Sequence, residues 1–516
     1  MSMGTLASRI LGMARDMVLA SLFSKTATDA FVVAFRLPNM FRRLLGEGSL
    51  SVSFIPVYVE KRTQDEAKAK PLANAVFTLL NVVTSSLTVL GIVFMPKVLQ
   101  VLVSGKGFVS IPGKLELTIL LARIMFVYLF LVTNFAYFMA ILNAHKKFFI
   151  AAFAPALFNF VFIAFAFLPK QWAPYEGWFA AWGVVAGGVT QFLLVAHALM
   201  KLGWLPRLCW NFKVDGFKAI LLNMVPGMLG LGILQLMSIV NIVFASRLPE
   251  GTHSYIYWAD RIFELPQSLF AISLGTALLP TLSELWSEGR AEKMRSVGQK
   301  GVRLLLFLAL PSAVGLYVLA QPIIELIYLR GNFNVRDATQ TAEVLQLYCY
   351  LLVASSFVKV LVPSFYAIKN TWVPALISAI CLLFHVILAN FLTNIFGLQG
   401  LVGSTVATGF LNMILLLACY FYFVGSFDFK ILFESVLRMT PALVAMGLFC
   451  HYFYQFTHGS LNNWLPGVWS NAIVVVVCIV IASFIYFYIC DLFKVPEFEP
   501  ISSRLKRKFK LKKIIR

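Results

Sequence analysis

The sequence predicts an all-α polytopic membrane protein with 14 transmembrane helices, built as two parallel six-helix repeats plus two extra C-terminal helices. Three observations lead to this class. The 516-residue chain is 60% hydrophobic and only 13% charged, with a mean hydropathy of +0.83, whereas soluble domains carry about 25% charged residues. Apolar runs of about 20 residues, the length that crosses a hydrocarbon core, recur from end to end. Short motifs also repeat in order between the two halves.

The apolar runs lie at roughly 3–23, 28–58, 73–95, 116–142, 149–168, 177–200, 219–247, 254–286, 303–328, 340–367, 373–395, 399–424, 431–456 and 468–492. No connection between them is long enough to form a separate soluble domain. The first run contains Arg9, Arg15 and Asp16, a poor composition for a signal-peptide core, so no cleavable signal is expected. The seven cysteines are scattered and form no C-x-x-C. Neither a disulfide framework nor a metal site is therefore expected, and no cofactor.

A net charge of +20 raises the question of nucleic acid, and its distribution answers it. With both termini in the cytoplasm, the inside connections hold 26 Lys and Arg against 8 outside. Topology explains this split without a nucleic-acid partner. The segment Arg504–Lys513, RLKRKFKLKK, suits an anionic membrane surface.

The repeat follows from matched motifs. Span 2 reads A-F-R at Ala34–Arg36, then Pro56 and Glu60. Span 8 reads A-D-R at Ala259–Arg261, then Pro280 and Glu284. Ala140–Asn143 precedes Pro155 as Ala367–Asn370 precedes Pro374, and the offset between copies stays between 219 and 227. An even number of spans per copy keeps both copies in one orientation. The expected lobes are 1–215 and 216–427, followed by helices 13–14 at 428–493 and the basic tail at 494–516.

A charge at mid-bilayer costs about 2.5–3.5 kcal/mol on insertion scales, so such residues usually face a cavity. Spans 1 and 2 hold Arg9, Arg15, Asp16, Asp29, Arg36, Arg42, Arg43 and Glu47, and span 8 holds Asp260, Arg261 and Glu264. Helical spacing puts Arg9 and Asp16 on one face, aligns Asp29, Arg36 and Arg43 at intervals of seven, and sets Asp260 four residues before Glu264. Pro38 is expected to kink span 2, with Gly46 and Gly48 as a second flexible point. The signs sum to +1, so a self-neutralising salt-bridge network is one reading. The other is an anion site: five arginines crowd the first two spans, and the guanidinium fork suits phosphate oxygens. The acids would then close the arginines off when the site is empty.

Several blocks carry a family resemblance. Ser8–Asp16 (S-R-I-L-G-M-A-R-D), Thr28–Phe31 (T-D-A-F), Phe35–Gly48 (F-R-L-P-N-M-F-R-R-L-L-G-E-G), Tyr257–Pro266, Leu274–Pro280 and Lys359–Tyr366 resemble the MurJ/MviN family of the multidrug/oligosaccharidyl-lipid/polysaccharide exporter superfamily. The resemblance implies a flippase in the bacterial cytoplasmic (inner) membrane. It would move lipid II, the undecaprenyl-pyrophosphate-linked disaccharide-pentapeptide, to the periplasmic leaflet by alternating access, with helices 13–14 as a groove for the lipid tail. It implies substrate-binding roles for Arg9, Arg15, Arg36, Arg42 and Arg261. It implies gating or ion-pair roles for Asp16, Asp29, Arg43, Glu47, Asp260 and Glu264. A monomer is expected. Some members hold sodium with acidic residues in spans 7 and 11. Here those spans offer Ser238, Asn241, His385 and Asn390 but no carboxylate, so coupling to membrane potential, protons or sodium stays open.

Two other classes compete with this reading. A cation-coupled multidrug exporter, or an exporter of another polyprenyl-pyrophosphate-linked oligosaccharide, of the same superfamily would share the duplicated fold, but the multidrug exporter favours an apolar, acidic pocket. A membrane-embedded lipid-processing enzyme usually carries its chemistry on a loop or appended domain. Here the outside connections are short, and the charged stretch at 324–339 reads as a cap or gate.

Overall fold

A backbone in hydrocarbon must satisfy its own N–H and C=O groups, and an α-helix does so within one segment. The computed structural model describes residues 2–268, 273–462, 467–499 and Ser503, and it is all-helical, with no strand among the described residues. Nine of the described helices are long and apolar enough to cross a membrane. Packing divides the chain into two compact units, Met1–Ser254 with Arg330–Phe333, and Tyr255–Leu329 with Asn334–Arg516.

The first unit comprises α1 (Ser2–Leu22), α2 (Lys25–Phe41), a π-helical segment (Arg42–Ser49), α3 (Leu50–Gln64), α4 (Glu66–Leu102), the short α5 (Lys106–Val109), α6 (Lys114–Ala144), α7 (Phe148–Ala166), α8 (Trp178–Lys201), α9 (Phe217–Ala245) and the first turn of α10 (Thr252–Pro266). Helix α2 begins at Ser24, whose hydroxyl accepts the Ala27 N–H at 3.3 Å and so caps an otherwise orphaned donor. The chain passes through Pro38 without leaving the helix. The winding changes four residues later, at Arg42. Wide π turns of this kind tend to sit where function requires them.

Close packing in this unit depends on small residues, as it must where lipid supplies no hydrophobic drive between helices. A Cβ on Gly187 of α8 would lie 2.9 Å from the Phe158 carbonyl of α7, and one on Gly183 the same distance from Phe165 Cβ. Between α3, α4 and α6 the core is aromatic. Phe54 lies 5.0 Å from both Tyr58 and Tyr137, and the Tyr137 hydroxyl donates to Ala73 O at 2.7 Å.

The second unit continues α10 and adds α11 (Ser273–Ser287), α12 (Ala291–Val318), α13 (Ala320–Tyr328), α14 (Val335–Ala367), α15 (Trp372–Phe423), α16 (Phe429–Asn462) and α17 (Gly467–Leu492). Helix α14 starts on a reciprocal cap. Asn334 Oδ1 accepts the Asp337 N–H at 3.0 Å, and Asp337 Oδ2 accepts the Asn334 N–H at 3.1 Å. Helix α15 has 52 residues, about 78 Å at 1.5 Å per residue, against a hydrocarbon core of about 30 Å. It breaks at Gly397, whose φ of 58° and ψ of −128° are disfavoured for side-chain-bearing residues. The break falls between the apolar runs at 373–395 and 399–424. Leu383, Ile387 and Phe391 form an exposed stripe on its first half, at 67%, 71% and 62% exposure. Such a stripe is costly in water and is at home against acyl chains.

Candidate functional site

Asp29, on the second turn of α2, is held by four hydrogen bonds. Its carboxylate accepts from Lys114 Nζ at 2.8 Å, from the Gly251 and Ser254 backbone N–H groups at 2.8 and 3.0 Å, and from the Ser254 hydroxyl at 2.6 Å. Asp29 and Lys114 are each 1% exposed. A buried ion pair stands only when its remaining hydrogen-bonding positions are filled, and the start of α10 fills them here. Asp29 thereby caps α10 from another helix, and its charge meets the positive end of the helix dipole. Lys114 opens α6, directly after Gly113 at φ +76°, and its ammonium lies 4.6 Å from the Phe108 ring.

The surrounding connections interlock. Ser24 and Thr26 bind Glu176 and Glu250 respectively. Gly105 N–H donates to Ser246 Oγ at 3.0 Å, and Asn332 N–H donates to Ser21 O at 3.0 Å. Residues 330–333 fall in the 324–339 stretch that the sequence marked as a cap.

Arg15 forks onto Asp16, with Nε and Nη2 at 3.0 and 2.7 Å from Oδ1, and its Nη1 donates to Asn159 Oδ1 at 3.2 Å. This ties α1 to α7. Arg42 Nε donates to Asn39 Oδ1 at 2.8 Å, at the entry to the π-helical segment. Arg9 and Arg36 are half-buried, and Arg43 is exposed. Glu47 belongs to the same segment, but its side chain lies outside the described residues.

In the second unit, Arg261 of α10 donates to Glu264 Oε2 at 3.2 Å and to the Tyr257 hydroxyl at 3.1 Å. Its guanidinium sits 4.8 Å from the Tyr257 ring. Asp260 is half-buried beside it. Arg15 and Asp16, and Arg261 and Glu264, are thus brought together. Asp29 is bound to Lys114, a residue that helical spacing could not single out. Of the basic tail, Arg504–Lys513 lies outside the described residues.

Known proteins share both the sequence and the fold of this chain. The family model described as lipid II flippase MurJ matches residues 18–475. A probable lipid II flippase MurJ of Bdellovibrio bacteriovorus is 44% identical over 448 residues, 86% of each chain. A lipid II flippase MurJ of Burkholderia cenocepacia is 35% identical over 419 residues, 80% of this chain and 81% of that one. Among solved structures, lipid II flippase MurJ in an inward closed conformation superposes with a TM-score of 0.77 at 24% identity, covering 95% of this chain and 98% of that one. An inward-facing MATE multidrug transporter superposes with a TM-score of 0.68 at 16% identity, covering 80% and 93%. At those identities the two structures speak for the fold. The sequence matches speak for descent, and they span nearly the whole length: the chain belongs to the MurJ lipid II flippase family.

Proposed function

We propose that the chain is a transporter that moves lipid II from the cytoplasmic to the periplasmic leaflet of the bacterial inner membrane, by alternating access and without covalent change. The observation that carries this reading is the family match over residues 18–475. Arg9, Arg15, Arg36, Arg42 and Arg261 receive the pyrophosphate. Asp16, Asp29, Arg43, Glu47, Asp260 and Glu264 hold the empty site closed, in the manner of Arg15 on Asp16 and Arg261 on Glu264. The four hydrogen bonds on Asp29 are the outer latch, which must break for that end to open.

The same reading has fourteen crossings with both termini in the cytoplasm, and two parallel repeats at 1–215 and 216–427. Two backbone features support the repeat. Lys146 and Lys369, 223 residues apart, both take a φ near +60° just beyond the ends of α6 and α14. The π-helical winding at Arg42 also recurs at Gln267, 225 residues on. Helices α16 and α17, in the 428–493 region, hold the lipid tail, and the tail beyond 494 meets anionic lipids. The protein acts as a monomer without a bound cofactor, driven by membrane potential or an ion gradient.

The test is reconstitution of the purified chain in vesicles with labelled lipid II. Unmodified lipid II is expected to become accessible on the far side. Arg42→Ala and Arg261→Ala should insert normally but lose transport, whereas Lys506→Ala should keep it. Normal transport in both arginine variants would make the cluster structural, and accumulation of a covalently altered product would make the protein an enzyme.

A further inference from the structure

In the first unit, three connections that the charge distribution assigns to the cytoplasm meet around a cavity of about 360 Å³, lined by Arg62, Glu66, His145, Lys146 and Trp204. Arg62 lies near the end of α3, and Glu66 opens α4. His145 and Lys146 follow α6, and Trp204 follows α8. The cavity therefore sits where spans end, at the level of the lipid headgroups.

Its walls are built rather than incidental. Arg62 Nη1 donates to Ala144 O at 2.8 Å, fixing the guanidinium beside the α6 terminus. The Tyr58 hydroxyl and His145 Nε2 are 3.1 Å apart. The imidazole lies 4.7 Å from the Trp204 ring, which also has Lys70 Nζ at 5.0 Å and the Tyr58 ring at 6.1 Å. Trp204 is buried at 8% exposure. Burial, followed by the Arg62 charge, lowers the His145 pKa from its ordinary value of 6.5, so the imidazole is an uncharged wall at neutral pH. Lining charges sum to +1, from Arg62 and Lys146 against Glu66, with Lys70 adding to the field beside Trp204.

The planar guanidinium of Arg62 and the exposed ammonium of Lys146, in a cavity walled by Trp204, make a phosphate site: the fork takes two oxygens and the ammonium a third. The lining charge of +1 matches a singly charged phosphate. Basic pockets at helix ends on the cytoplasmic side take such headgroups. We propose that this cavity binds a singly charged phosphate group, supplied by the phosphodiester of an acidic phospholipid or by soluble phosphate. None of the arginines assigned above to the pyrophosphate of lipid II lines it, so it is a second anion site. The cytoplasmic placement rests on the orientation proposed above, but the phosphate chemistry does not.

The test uses the purified full chain in neutral detergent at constant ionic strength. The fluorescence of Trp204, taken as the difference from a Trp204→Phe form, is followed during titration with short-chain phosphatidylglycerol in one arm and inorganic phosphate in the other. Saturation is expected. With phosphatidylglycerol alone it identifies a lipid headgroup. With inorganic phosphate it shows that the soluble anion suffices. Arg62→Gln should weaken binding at least tenfold. Lys146→Asn, which removes the charge but tolerates the left-handed backbone, should weaken it at least threefold. Failure to saturate in both arms, or unchanged binding in Lys146→Asn, overturns the proposal. That exposed variant decides the matter alone should Arg62→Gln fold poorly. Lipid II transport is read separately, so its loss or retention does not bear on this outcome.

Discussion

At the scale of single residues, Asp29 is held by partners from other helices, Lys114 of α6 and the start of α10. Removing one member of a buried pair leaves the other uncompensated, at a cost of about 3–5 kcal/mol. Asp29→Asn should therefore destabilise the protein by that order, because Lys114 stays buried at 1% exposure. Asp29→Asn with Lys114→Met should recover part of the loss, as measured by unfolding in detergent, and strictly additive losses would mean the two side chains do not act as a pair. The sequence singled out Asp29 as the first of three charges at intervals of seven, with Arg36 and Arg43, but helical spacing reports only neighbours on one helix. Lys114 is 85 residues away and reads as a loop lysine. By contrast, Arg15–Asp16 and Arg261–Glu264 are local, and their residues were legible as candidates. A second residue-scale effect concerns pH. Because His145 has a folded pKa lowered from 6.5, the unfolded chain takes up its proton first as pH falls. Stability from the neutral imidazole is complete above 6.5 and lost as pH drops through the lowered value. The midpoint of thermal unfolding should fall between about pH 7.5 and 5.5, and less steeply in His145→Gln. Equal slopes would count against the effect.

At the scale of elements, the sequence located the irregularities better than it described them. Pro38, Gly46 and Gly48 were expected to kink and loosen span 2. The helix runs on through Pro38, and the winding turns π-helical over Arg42–Ser49, the stretch that holds Gly46 and Gly48. Composition reveals residues that tolerate unusual backbone. It does not reveal whether a break, a kink or an extra residue per turn results, since tertiary packing decides between them. Helix α15 is the complementary case. Hydropathy placed a boundary between residues 395 and 399, and the backbone turns there at Gly397 without the two helices separating into a loop. Its φ of 58° with ψ of −128° belongs to a region that costs a side-chain-bearing residue about 1–3 kcal/mol. Nearby, a Cβ on Gly400 would fall 2.0 Å from Leu392 O. Gly397→Ala should lower stability by that amount or straighten the bend, seen as a lower unfolding midpoint in detergent. Gly403, on the same helix, is the control. A Cβ there would meet nothing within 4 Å, and alanine is the better helix former. Gly403→Ala should therefore be neutral or mildly stabilising, and an equal loss at both positions would mean that the backbone at Gly397 is not special.

At the scale of the whole molecule, the membrane class was legible because it depends on averages: 60% hydrophobic residues, 13% charged, and apolar runs of bilayer length. These signals survive uncertainty about any one contact, and the all-helical fold agrees with them. Orientation is an average of the same kind, with 26 Lys and Arg on one set of connections against 8 on the other. Positively charged loops are retained in the cytoplasm during insertion, so the proposed topology predicts where each connection can be reached. Gln171, between α7 and α8, and Lys293, near the start of α12, are both exposed and belong to connections assigned to opposite sides. Gln171→Cys and Lys293→Cys can each be made with Cys209→Ser and Cys419→Ser, which remove the two half-buried native thiols. In spheroplasts a membrane-impermeant maleimide should label the first variant at once. It should reach the second only after the membrane is permeabilised. The reverse pattern would invert the protein and place the cavity of Arg62 and Lys146 on the periplasmic side. Labelling of both positions from outside would remove the fourteen-crossing topology altogether, because the two connections would then be separated by an even number of crossings.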